Sequence, residues 1–247
     1  MKYLLATLTV LMSSIAYADH HALPAEPLVA EIHGCTLNEG VALADVIKAG
    51  RAEFPKLFSA DKLKMSSYIW EAVAVSPPFH APDLRWVNYY PTWADWDASE
   101  TVWRDPKSAK IVEKIFSLIT CDRPMFGSAQ MIAPIPAVEE KYLIAGVCKL
   151  EPGKSLADVR KYRTRGRTSA INAAIEANNG GALIYPGFGM TGDFDYVQVL
   201  TGEKSSMTKL LDGVRTGTVA AANQTYSEMD NPATCTWDLH RAHAIVQ

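Results

Sequence analysis

Cys35-Thr-Leu-Asn-Glu-Gly-Val-Ala-Leu-Ala-Asp-Val46 returns later in the chain as Cys148-Lys-Leu-Glu-Pro-Gly-Lys-Ser-Leu-Ala-Asp-Val159, with seven of twelve positions identical. The remaining cysteines keep step, Cys121 following Cys35 by 86 residues and Cys235 following Cys148 by 87. One such match could be chance, but the combination points to a duplication. The Pro-punctuated stretch Ala133-Pro-Ile-Pro-Ala137 suits its boundary. The expected organisation is a leader over 1–18, an extension over 19–28, α+β repeats over 29–132 and 141–247, and a linker over 133–140.

Working outward, each half yields the same order of elements. In the first, residues 29–37 read as a strand. A helix follows, with Leu43, Val46, Ile47, Gly50, Phe54, Leu57 and Phe58 on one stripe and Asp45 in its first turn, where the helix dipole favours an acid. Strands are expected over 66–75 and 84–90, a helix over 107–119 and a strand over 121–132. In the second half the same elements fall over 142–150, 155–178, 182–189, 194–201, 204–222 and 234–246. Ser155 and Asp158 form a capping-box pattern, with Asp in place of the usual Glu. The order β-α-β-β-α-β is that of the split βαβ, or ferredoxin-like, unit.

In that unit the first and last strands are antiparallel neighbours, so the end of one lies beside the start of the other. Cys35 and Cys148 sit near the ends of first strands, and Cys121 and Cys235 at the starts of last strands. Cross-strand separations suit a disulfide. The expected pairs are therefore Cys35–Cys121 and Cys148–Cys235, in a structural role.

Two such units in one chain resemble the dimeric α+β barrel superfamily, whose members press two sheets together. The resemblance implies that a tandem chain closes the barrel within itself. It covers nearly the whole chain after the leader and is carried by topology and duplication. Members include small monooxygenases, haem-handling enzymes, isomerases and proteins of no known activity. No catalytic motif of the superfamily stands in this sequence, so no residue role is carried over, and fold alone names no reaction or cofactor.

The first residues read as a secretory leader: Lys2, an apolar run from Tyr3 to about Ile15, then Ala16-Tyr17-Ala18 before the expected cleavage. The reading is a periplasmic or secreted protein, which suits two disulfides. The net charge is −3, and losing the leader makes it one unit more negative, against a nucleic-acid partner. Beyond the leader no apolar run reaches membrane-spanning length. There is no C-x-x-C, P-loop, G-x-S-x-G or H-E-x-x-H.

Gly187-Phe-Gly-Met-Thr-Gly192 matches G-x-G-x-x-G, but the alternating run Phe194-Asp-Tyr-Val-Gln-Val199 follows where a pyrophosphate site needs a helix. A glycine-rich hairpin is expected. Five of the six Trp lie in the first half, and the expectation for most of these rings is that they fill the barrel between the sheets. Trp86, Asn88 and Tyr90, sharing one strand face, are the candidates for a pocket lining. His80, in the long loop Ser76–Asp83, is a weak acid–base candidate against the plainer reading of an exposed loop residue. His240 and His243 stand at odd separation on a strand and cannot chelate one metal there.

The run Arg160, Lys161, Arg163, Arg165 and Arg167 is the least expected feature. Arg160, Arg163 and Arg167 align with the apolar Ile47, Gly50 and Phe54 of the first half. The expectation is a rotated helix with solvated arginines and with Leu156, Val159, Tyr162, Gly166, Ala170 and Ala173 facing inward. The alternative is an anion-binding pocket. Cleavage after Ala18 would also expose Asp19-His20-His21, whose amine, two amides and His21 ring make a square-planar set suited to Cu(II) or Ni(II), with His20 between. The leading functional reading is an exported small-molecule binder, with enzymatic activity open. The alternatives are a non-catalytic protein-interaction module and a copper or nickel binder.

Overall fold

A computed structural model describes residues 26–58, 64–75, 82–226 and 229–247. The expected leader, Asp19-His20-His21 and His80 lie outside the described residues.

Strands β1 (Leu28–Leu37), β2 (Ser66–Ala74), β3 (Leu84–Tyr90), β4 (Ile119–Cys121) and β5 (Met125–Ala133) come from the first half. The second supplies β6 (Glu140–Leu150), β7 (Asn179–Pro186), β8 (Tyr196–Gly202) and β9 (Ala233–Val246). Neighbours run β3-β2-β9-β6-β8-β7-β5-β1, and a β1–β3 pairing closes this row into an eight-stranded barrel, with the short β4 beside the end of β1. The halves meet at two antiparallel seams, β2 on β9 and β5 on β7. Closure leaves none of these eight strands as an edge, and so no template for unwanted pairing.

Alternation along each strand separates two environments. Inside, Ala30, Ile32, Trp70, Val87, Ala129, Leu143, Ala145, Ile184, Val199 and Ala242 pack together. Every barrel strand contributes to this cluster and no helix does. The many alanines fit a narrow lumen. Outside, Trp86, Phe54, Phe58, Val46, Ile69, Leu84, Tyr90 and Ile115 form the layer between sheet and helices in the first half. Burying each large side chain there contributes about 1.5–3 kcal/mol. Trp86, Trp96 and Trp103 belong to this outer layer. The expectation that the rings fill the barrel is corrected: the lumen admits Trp70, and the rest follow strand parity or helices outward.

The helices are α1 (Leu43–Leu57), α2 (Trp93–Arg104), α3 (Ala109–Phe116), α4 (Leu156–Tyr162), α5 (Arg165–Ala174), α6 (Lys204–Thr216) and α7 (Thr218–Tyr226). Four elements differ from the sequence reading. Helix α2 was not expected; the Thr92 hydroxyl starts it by accepting from the Asp95 amide at 3.1 Å. The strand expected over 121–132 is two pieces, interrupted where the Asp122 amide turns to the Gly34 carbonyl. The helix expected over 155–178 breaks at Arg163, because Thr164 caps a new helix by accepting from the Arg167 amide at 3.2 Å. That over 204–222 breaks at Gly217, which takes the left-handed conformation (φ 84°) open to glycine.

The two cysteine pairs stand directly opposite in register, Cys35 with Cys121 and Cys148 with Cys235, Cα atoms 4.0 and 4.1 Å apart, and both pairs are joined. No helix among the described residues is long and apolar enough to cross a membrane.

Candidate functional site

Along β1, Glu31, His33 and Cys35 share the parity that faces the helices, while Ala30 and Ile32 face the lumen. Glu31 is paired directly with Asn88 of β3, and only 4% of it is exposed. A bare carboxylate there would be very costly, and the neighbours meet that cost with hydrogen bonds. Asn88 Nδ2 and the Tyr90 hydroxyl donate to Oε2 at 2.9 and 3.0 Å, and Trp96 Nε1 donates to Oε1 at 3.0 Å. The network continues outward: Ser99 donates to the Tyr90 oxygen at 3.2 Å, Ser67 to Asn88 Oδ1 at 2.7 Å, and Trp86 Nε1 to Ser67 at 2.8 Å.

Glu31 and Asn88 form the floor of a cavity of about 340 Å³ between the sheet and helices α2 and α3. Its walls are aromatic: Trp86, Trp96, Trp103, Phe116 and Phe126. Among the described residues its polar lining is Glu31, His33, Asn88 and Glu100, with no Lys or Arg. His33 Nε2 lies 3.7 Å from Glu31 Oε1. Burial pushes the Glu31 carboxyl up, but the nearby His33 ring and its charge, with hydrogen bonds from Asn88 and Trp96, outweigh it. The carboxyl is thereby held below its ordinary value of 4.5. Burial and the neighbouring Glu31 charge push the Tyr90 phenol well above its ordinary value, so it stays a neutral donor. A carboxylate has about four acceptor positions. Oε2 carries two donors and Oε1 one, which leaves one position on Oε1 on the His33 side.

Gly187-Phe-Gly-Met-Thr-Gly192 joins β7 to β8, which pair as a hairpin, so no helix follows the glycines. The hairpin reaches across to the first half. The Phe126 amide donates to the Phe188 carbonyl at 2.7 Å, and the Gly187 amide to the Phe126 carbonyl at 2.9 Å. A Cβ on Gly187 would come within 2.7 Å of that carbonyl oxygen, so the contact requires glycine. The result is a surface aromatic cluster in which Trp93 packs on Trp96, Phe126 and Phe188, with Phe188 74% exposed. Trp96 and Phe126 are shared between this cluster and the cavity wall.

Of the residues singled out from sequence, Trp86 and Asn88 line the cavity, and Tyr90 stands behind it as a donor to Glu31. The arginines are elsewhere, in the second half. Arg160 is exposed, whereas Arg163 and Arg167 line a separate cavity. The expectation of solvated arginines is corrected for Arg167, which is 3% exposed, while Gly166 and Ala173, expected inward, are exposed. The break at Thr164 resets the helix and turns Arg167 in. His240 faces Arg85 and His243 faces Glu71, and among the described residues no group of three or more His, Cys, Asp or Glu could hold a metal. Sequence reading missed Glu31, Trp96 and Trp103. A lone acid inside the apolar run Leu28-Val-Ala-Glu-Ile32 was the available signal for the first.

No family model matches the sequence, and no curated protein does. Solved structures do resemble the chain. A candidate monooxygenase from Lactobacillus acidophilus NCFM is 11% identical with a TM-score of 0.54, covering 90% of this chain and 95% of its own. A variant chlorite dismutase from Candidatus Nitrospira defluvii is 12% identical with a TM-score of 0.48, covering 92% and 96%. At such identity the likeness is one of fold. The likeness to the first of these, together with the closed barrel, is to the fold of dimeric α+β barrel proteins.

Proposed function

We propose that the chain is an exported binder of a small aromatic or apolar amine, held in the cavity over Glu31. The observation that carries this is the open acceptor position on a buried carboxylate, inside an aromatic box that among the described residues is lined by a second acid, Glu100 (itself paired with Arg104), and by no Lys or Arg. A cationic nitrogen satisfies Oε1 while its apolar part lies on the indole and phenyl faces, which attract cations. The His33–Glu31 pair is the group best placed to hold or move a proton on such a ligand. Export is supported by the sequence of the leader and by the two disulfides. The reading takes residues 29–132 and 141–247 as two ferredoxin-like copies. It is supported by matched strand orders, β5-β1-β3-β2 and β9-β6-β8-β7.

The test is calorimetric titration with naphthylmethylammonium and with naphthoate. The ammonium is expected to bind and the carboxylate not, and Glu31→Gln should weaken the ammonium about tenfold, since a charged hydrogen bond in a buried site is lost. Equal binding of both probes, or an unchanged Glu31→Gln, would overturn the proposal.

A further inference from the structure

A second cavity, about 350 Å³, lies between sheet and helices in the other half. Most of its wall is apolar, including Ile144, Ile171, Leu200, Leu210 and Val219, and among the described residues it contains Arg163, Arg167 and Gln198 but no Asp or Glu. The matched registers explain part of the contrast. Where β1 sets Glu31 opposite Asn88, with Glu31 four residues before Cys35, β6 sets Ile144 opposite Leu200, four residues before Cys148.

Arg167 is 3% exposed and its guanidinium carbon lies over Tyr162, 3.7 Å from the ring centre. Stacking uses the faces of the guanidinium, so its remaining bonds lie in its plane. Nη1 donates to Asn223 at 3.0 Å, and Nε has no partner. Arg163 is held similarly: Nη2 donates to Asn231 at 3.1 Å and Nε has no partner. Burial pushes the Arg163 guanidinium below its ordinary value, a sign of how poorly it is solvated. The buried amide oxygen of Gln198 also lacks a partner. Among the described residues neither arginine forms an ion pair. A buried cation beside a half-buried one, with no counter-charge among the described residues, is unfavourable, and planar N–H donors match a carboxylate.

We infer that this second cavity binds an apolar carboxylic acid, its head group on Arg163 and Arg167 and its chain along the Ile144–Leu200 wall. The two cavities of one chain thus select opposite charges. The inference does not rest on the amine site, and different residues test it.

Calorimetry with dodecanoate, dodecanol and dodecyltrimethylammonium reads the claim. Dodecanoate should bind at least about tenfold more tightly than either other probe, and Arg163→Gln with Arg167→Gln should remove that preference. Because the double variant removes a buried and a half-buried group and could fail to fold, Val214→Trp provides a second route. Val214 is 61% exposed on α6 and lines the cavity, so the indole blocks the site without entering the core. It should weaken dodecanoate at least about tenfold, and Glu31→Gln should leave dodecanoate unchanged. Dodecanol or the ammonium binding as tightly as dodecanoate, full affinity in Val214→Trp or in a folded double variant, or loss of dodecanoate in Glu31→Gln would overturn the inference.

Discussion

Glu31 and Trp96 are 65 residues apart in sequence and joined by a 3.0 Å hydrogen bond from the indole to the carboxylate, so helix α2 is tied to the barrel wall through the floor of the cavity. Asn88 and Tyr90 hold the same carboxylate from β3. Replacing Glu31 by Leu would leave three donors without their acceptor, those of Asn88 and Tyr90 buried and that of Trp96 half-buried. It should destabilise the fold by about 3 kcal/mol or more, since each orphaned group costs about 1–3 kcal/mol. Glu31→Gln, which keeps acceptor capacity, should cost less. Urea unfolding of both variants measures the difference.

His240 sits in the lumen, fully buried, beside Arg85 at 3.4 Å. Burial, then the Arg85 charge, pushes its pKa down to about 4 from 6.5. As pH falls, the unfolded chain therefore takes up the proton first. The stability tied to neutral His240 is complete above about 6.5 and is lost between about 6.5 and 4, amounting to at most about 3 kcal/mol. The Glu31 contribution, present above the ordinary carboxylate range, is lost lower still, through its depressed pKa. Unfolding free energies from pH 7 to 4 should fall less steeply for His240→Gln than for the native protein.

Lys141 is 2% exposed, its ammonium donating to the Val138 carbonyl at 2.8 Å and lying over the Tyr68 ring. Burial pushes its pKa down to about 8 from 10.5. Between these values the unfolded chain holds the proton more tightly, so this group makes stability rise with pH across the window. Lys141→Met should remove that rise and, near pH 7, stabilise by about 1–2 kcal/mol once the lost hydrogen bond is subtracted. Chemical unfolding at pH 7 and 10 checks both points.

Cys121 lines the amine cavity and is bonded to Cys35, whereas Cys148–Cys235 lies in the other half. Converting either pair to alanine should cost about 2–4 kcal/mol. Only loss of the first pair should also weaken naphthylmethylammonium, as read by calorimetry on protein kept below its unfolding midpoint.

Phe188 is the most exposed large apolar residue of the hairpin and packs on Trp93 at the edge of the cavity wall. Phe188→Ala should leave the melting temperature nearly unchanged and weaken the ammonium by about 1 kcal/mol, the usual scale of an aromatic contact. A large stability loss would instead make the hairpin a structural tie alone.

Most of the fold was legible because the two halves of the sequence read alike, element by element, and strand parity is a strong signal. Cys35 and Cys121 could be paired from strand order alone, and the hairpin at Gly187–Gly192 followed from the alternating run after it. What failed was local. Thr92 and Thr164 each start a helix with a side-chain bond to a backbone amide, and such caps were hidden by the tryptophans in one case and by a continuous charge run in the other. The site was half visible. Trp86 and Asn88 share a face that periodicity reveals, but Glu31 acquires its meaning from Tyr90 and from Trp96 on an unexpected helix, contacts spanning about sixty residues. Arg167 changed environment because a one-turn break rotated α5, a shift that helical periodicity over an unbroken segment cannot show.

The most direct measurement is a ¹⁵N-edited NMR titration of the six indole N–H signals with naphthylmethylammonium. The account predicts that Trp86, Trp96 and Trp103, which line the cavity, shift together and saturate, Trp96 most strongly because its N–H is bonded to Glu31. Trp70, in the lumen, and Trp237, in the other half, should stay in place. Movement of Trp70 or Trp237 without the cavity set, or no saturable shift in any indole, would contradict it.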